Sequence, residues 1–197
     1  MSQGDGGYGV RSGSTPLLGT SARVHDGAEA VSAAASARRR VGCATGCLAG
    51  DSFIESVEGP VAIATLAGKP MPVLTRLPNG QIGFRLMTKI ACTAAGVPVV
   101  RVSFDNGQSV VVDHGHVFYA PGMVERAVVS LVAGDVLATS FHFPAGYVYR
   151  REDGTAETSV GGVRVVTIEE AGAADVFSGN VNETHCYFVT AGVLCKA

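Results

Sequence analysis

From residue 47 onward the chain alternates short apolar runs with polar turns, a β pattern throughout. Val61-Ala62-Ile63-Ala64 and Met71-Pro72-Val73-Leu74 are the first runs. Pro78-Asn79-Gly80 signals a turn before a strand at residues 81–87. Residues 99–104 form a strong strand pattern, and Pro98 stands just before it, where a strand tolerates proline. Asp105-Asn106-Gly107 turns this run back onto residues 108–112, the clearest hairpin in the sequence. Further strands are predicted at 128–132, 136–139, 163–168, 176–181 and 187–194, and a polar surface loop at 150–162. Many short strands with Asn-Gly, Asp-Gly and Gly-Gly turns predict an all-β domain, closed or folded over on itself.

The chain changes character near residue 46. Gly, Ser, Ala and Arg dominate before it, and residues 4–20 hold few large apolar side chains. Such a stretch is expected to be flexible. Residues 28–40 are Ala-rich, but helix propensity alone is marginal in water. The expected division is therefore a flexible segment, 1–46, and a folded domain, 47–197. Hydrophobic residues make up 47% of the 197-residue chain and charged residues 16%, which is enough apolar material for a core. A net charge of -2 gives no electrostatic case for nucleic acid or an anionic membrane, and Arg38-Arg39-Arg40 is too short to change that. No apolar run reaches membrane-span length, and the Gly-rich start lacks the basic-then-apolar order of a signal peptide. A cytoplasmic location is the default expectation.

The five cysteines are Cys43, Cys47, Cys92, Cys186 and Cys195. An odd number with irregular spacing argues against a disulfide framework. Cys43 and Cys47 lie four apart with no nearby Cys/His pair to complete a zinc knuckle. They are close enough in sequence to exchange a thioester or form a regulatory disulfide.

Three clusters carry candidate chemistry. In Gly46-Cys47-Leu48-Ala49-Gly50-Asp51-Ser52 a cysteine stands at the border of the two regions, and Gly46 gives its own carbonyl minimal shielding. In Val110-Val111-Val112-Asp113-His114-Gly115-His116-Val117-Phe118-Tyr119 a strand runs into two histidines that share a face if extended, suiting a metal or proton transfer. In Asn182-Glu183-Thr184-His185-Cys186-Tyr187-Phe188-Val189 a histidine leads an aromatic strand. Taken singly, each is explained more readily by packing: a small apolar cysteine, a satisfied histidine at a strand end, a buried strand with an incidental histidine.

In their order and spacing the three clusters resemble the signature blocks of Hint domains, the superfamily of inteins and hedgehog autoprocessing domains, and bacterial intein-like domains show this ending most closely. The first cluster, continued by Glu58-Gly59-Pro60-Val61-Ala62-Ile63-Ala64-Thr65-Leu66, resembles the N-terminal block. The second resembles the Thr-x-x-His block, with His116 on the histidine and Asp113 on the threonine position. The third resembles the penultimate block, with His185 opening His-x-Tyr-Phe-Val. The resemblance covers about three quarters of the chain. It implies a compact, horseshoe-like Hint fold of many short antiparallel strands, Cys47 as nucleophile and Gly46–Cys47 as scissile bond. Two positions depart from it. Cys195-Lys196-Ala197 stands where the family often ends in His-Asn, so full splicing is not expected, and Ser178 stands at a position often acidic in the family, with Asp175 close by.

The implied reaction is a single-turnover N-to-S acyl shift at Gly46–Cys47. Cleavage by water, or transfer of the N-terminal segment to an external thiol, amine or alcohol, would follow. His116, with a pKa near neutrality, would protonate the departing nitrogen. Asp113 would orient His116 or hold the amide, and His185 would activate the incoming nucleophile. No cofactor or metal is called for. The alternatives are a catalytically degenerate Hint scaffold and a zinc-binding β-domain using Cys47, His114, His116, His185 or Cys186.

Overall fold

The computed structural model describes residues 46–197. Within them the chain is all-β. The strands are β1 (Leu48–Ala49), β2 (Phe53–Ser56), β3 (Gly59–Ala62), β4 (Met71–Arg76), β5 (Ile82–Phe104), β6 (Ser109–Asp113) and β7 (Val117–Ala120). They continue with β8 (Val124–Ala127), β9 (Val136–Leu137), β10 (Val148–Arg150), β11 (Ala156–Thr158), β12 (Val163–Val181), β13 (Cys186–Phe188) and β14 (Leu194–Lys196). An eight-stranded sheet has the order β3-β2-β4-β5-β6-β1-β12-β9, with β5 also pairing β12, and a four-stranded sheet has the order β13-β14-β7-β8. The core between them is built on Leu48, Ile54, Phe118 and Tyr187, with Val112, Leu137 and Val193.

The two predicted turns form as expected. Leu77 and Gln81 close the first, and Phe104 and Gln108 the second. The long strands differ from expectation. β5 runs for 23 residues and β12 for 19, paired from Val165↔Phe104 to Val181↔Met87. The sequence suggested two separate short strands in each. Residues 91–96 are mostly exposed, so β5 there has too few buried positions to write an apolar pattern. Three smaller corrections follow the same logic. Residues 128–132 contain a 3-10 turn, Val128–Ser130, in place of a strand. The 150–162 segment contains β11, which pairs β10 in an exposed hairpin. The predicted strand at 187–194 is interrupted by a tight turn in which Val189 bonds Val193.

This topology puts β1, only two residues long, between β6 and β12 in the large sheet, through Leu48↔Val112 and Leu48↔Phe177. β6 ends at Asp113 and β7 opens the small sheet at Val117. The turn containing His116 is thus the crossover between the two sheets, beside the start of β1. Among the described residues, no helix is long and apolar enough to cross a membrane.

Candidate functional site

Asp113 clamps the Cys47 residue at both ends. The Cys47 N–H donates to Asp113 Oδ1 at 3.1 Å, and the Asp113 N–H donates to the Cys47 carbonyl at 3.0 Å. The nitrogen so held belongs to the Gly46–Cys47 peptide bond. Asp113 is 5% exposed. Burial pushes its carboxyl pKa up, while hydrogen bonds from the Cys47, Gly115 and His116 amides pull it down. Asp113 therefore holds the amide and turns the 113–116 backbone. It does not orient the His116 ring, whose two nitrogens have no hydrogen-bond partner.

His116 is fully buried, edge-on to Phe118 with ring centroids 4.7 Å apart. Burial lowers its pKa from 6.5 to about 3. The near-neutral value expected from sequence is corrected, because a charged imidazole has no solvation in this pocket. Gly46 lies against the same ring, in a backbone conformation with φ of +80°. A Cβ at residue 46 would fall on His116 Cα and stand 3.1 Å from His116 Nδ1 and from Val117 N. The ring and the peptide bond preceding Cys47 are therefore neighbours.

Cys47 is fully buried in a small cluster with Val99 and Val176, and it is disulfide-bonded. Cys43 lies outside the described residues. Cys92, Cys186 and Cys195 are free thiols. Cys92 is exposed. Cys186 and Cys195 are buried, and burial raises the Cys195 pKa well above the ordinary thiol value.

The remaining predicted residues lie apart. His185 is exposed, its Nδ1 3.1 Å from Asn180 Oδ1, and its carbonyl accepts the Ala197 N–H at 2.9 Å. It belongs to the region of the last strand, and the structure gives it no contact with Cys47. His114 does not share a face with His116. It is half-exposed and lies 3.5 Å from Glu170. Among the described residues no three of His, Cys, Asp and Glu gather as metal ligands, so the zinc set proposed from sequence is not assembled. Ser178 stands opposite Ala91 in the ladder, and Asp175 accepts the Gly96 N–H through Oδ1.

One contact has no counterpart in the sequence reading. Thr93 Oγ1 lies 3.1 Å from Cys47 Sγ. A lone threonine in a small-residue stretch carries no signal, and only the strand register brings it to the sulfur.

No protein-family model matches the chain, and no curated protein matches it. Solved structures do. A mutant of an Ssp DnaB mini-intein variant aligns with a TM-score of 0.62 at 15% identity, over 78% of this chain and 99% of that one. The DnaB intein from Synechocystis sp. PCC 6803 gives 0.58 at 15% identity, over 78% and 99%. A bacterial intein-like domain from Clostridium thermocellum gives 0.57 at 16%, over 78% and 99%. The domain has the Hint fold that the signature blocks implied.

Proposed function

We propose that this is a single-turnover autoprocessing domain whose reaction is an N-to-S acyl shift at Gly46–Cys47. The carrying observation is the setting of that peptide bond. Its nitrogen is held by the Asp113 carboxylate, and its glycine is pressed against the His116 ring.

The reaction starts from reduced Cys47. Its sulfur bonds to the Gly46 carbonyl carbon and the carbon–nitrogen bond breaks. The proton lost by the thiol is balanced by one gained at the Cys47 nitrogen, leaving residues 1–46 as a thioester and Cys47 with a free amine. His116 is neutral at neutral pH, and its pKa of about 3 makes its protonated form a strong acid. It can hand a proton to the leaving nitrogen only after taking one up, so in this reaction it serves as the relay between the departing thiol proton and the Cys47 nitrogen. Asp113 sits where the new amine gains positive charge, so its carboxylate opposes reversal to the amide. The thioester then passes to water or to an external thiol, amine or alcohol. His185, with its backbone tied to Ala197, serves the acceptor step if the region of the last strand closes on it. Splicing is not part of this proposal, because Lys196 and Ala197 lack the imidazole and amide that terminal cyclisation uses.

Intact mass decides the matter. A phosphine reductant alone should leave the chain whole, and added hydroxylamine should split it between Gly46 and Cys47. Cys47→Ala should abolish the split. A wild-type chain that stays whole under hydroxylamine would favour the degenerate scaffold, to which Ser178 at the acidic position lends weight.

A further inference from the structure

The pairing of β5 with β12 slips by one residue beside the nucleophile. Val176 faces Ala94, while Phe177 faces Cys92. One step along β12 is matched by two along β5, which makes Thr93 the extra residue of a β-bulge. Bulges re-aim a side chain out of the regular alternation. Here the re-aimed group is the Thr93 hydroxyl, 3.1 Å from Cys47 Sγ and 3.1 Å from the Val176 carbonyl, to which it donates. On the other edge of β12, Val176 pairs Ala49, two residues after the nucleophile. The hydroxyl, the carbonyl and the sulfur are thereby fixed to one another by backbone.

We propose that Thr93 is a catalytic residue of the autoprocessing reaction, holding the Cys47 sulfur and stabilising it as thiolate by moving its hydroxyl proton from the Val176 carbonyl to Sγ. The inference rests on the autoprocessing reading. A hydroxyl has one proton and two acceptor lone pairs. In the reduced protein, while that proton is on the Val176 carbonyl, Thr93 accepts from the Cys47 S–H, and the thiol is fixed in direction. When the thiol proton departs, the hydroxyl rotates about its C–O bond and donates to the sulfur. No covalent bond changes at Thr93. Val176 loses one hydrogen bond while the thiolate gains one, and a bond to a charged acceptor is the stronger of the two. Among the described residues, Val99, Val176 and Ala94 pack in the same cluster as Cys47, and none of the three has a side-chain donor. The Thr93 hydroxyl is the polar side chain that the bulge brings to it.

Thr93→Val keeps the branched shape and removes the hydroxyl, and Thr93→Ser keeps the hydroxyl. Thr93 is exposed, so both should fold. The cleavage rate at Gly46–Cys47 is followed by mass under phosphine reductant and hydroxylamine. The Cys47 thiol is titrated separately through its 13Cβ chemical shift in cysteine-labelled protein, assigned by its loss in Cys47→Ser. Thr93→Val should slow cleavage about tenfold or more and raise the thiol pKa by about one pH unit, while Thr93→Ser stays near wild type. An unchanged titration in Thr93→Val overturns the proposal. A Thr93→Ser variant as impaired as Thr93→Val overturns it as well, since shape would then be the cause. If wild type titrates as expected against Thr93→Val yet never cleaves, Thr93's hold on the sulfur stands and the autoprocessing reading falls.

Discussion

At the scale of single residues, Gly46 and His116 constrain each other. Residue 46 has φ of +80° and no room for a Cβ beside His116. An alanine there meets about 1 kcal/mol of backbone strain and a collision with main-chain atoms that cannot swing away. Gly46→Ala should therefore move the peptide bond off the ring and slow cleavage by at least about tenfold, read as the mass time course under hydroxylamine. His116 also sets an acid limit on stability. Its folded pKa of about 3 lies below its ordinary 6.5. The unfolded chain thus binds the proton more tightly, and stability is complete above about pH 6.5 and falls as the pH drops toward 3. At pH 4 the loss is about 3 kcal/mol. Asp113, with its raised pKa, works in the opposite sense and recovers part of that loss as it protonates. Thermal melts from pH 7 to pH 4 should show a steep acid branch in wild type and a shallower one in His116→Leu.

At the scale of elements, the sequence was legible where a local conformation dictates residue type. Asp105-Asn106-Gly107 makes its turn because Gly107 takes φ of +78° and the Asn106 side chain accepts the Gln108 N–H. The blocks around Cys47 and His116 were legible because residues at a strand end and a sheet crossover keep a fixed order. The middle of the β5–β12 ribbon was not legible. On β5 its residues 91–96 are mostly exposed, and Thr93 is placed by a slip in register that no local pattern records. The same ribbon has a tight point elsewhere. A Cβ on Gly179 would stand 2.9 Å from Ile90 Cγ1 and 3.1 Å from Met87 Cγ and Cε. Met87 and Ile90 are both buried, so they have little freedom to yield. Gly179→Val should cost about 1–3 kcal/mol of stability, seen as a lower urea midpoint, while leaving the Cys47 titration where it was.

At the scale of the whole domain, cuts near the two ends of the sheets should have opposite consequences. β1 enters the large sheet between β6 and β12, and β14 enters the small sheet between β13 and β7. The bond before Cys47 lies just outside the first insertion. Cleaving it leaves Leu48 and Ala49 paired, and among the described residues the main core cluster begins at Leu48, after the cut. The new amine stays beside Asp113. The cleaved product should therefore melt within a few degrees of uncleaved Cys47→Ala, a small fraction of the total stability. Removing residues 194–197 takes away β14. Leu194 and Cys195 are both fully buried, and β13 and β7 lose the strand that joins them. Loss of one such side chain costs about 2–5 kcal/mol, so this truncation should melt far lower or fail to fold, even though it leaves Cys47, Asp113, His116 and Thr93 in the chain. A reaction that severs its own backbone can be tolerated at residue 46 for this reason. In the proposed reaction the break falls outside the pairing of β1 with β6 and β12.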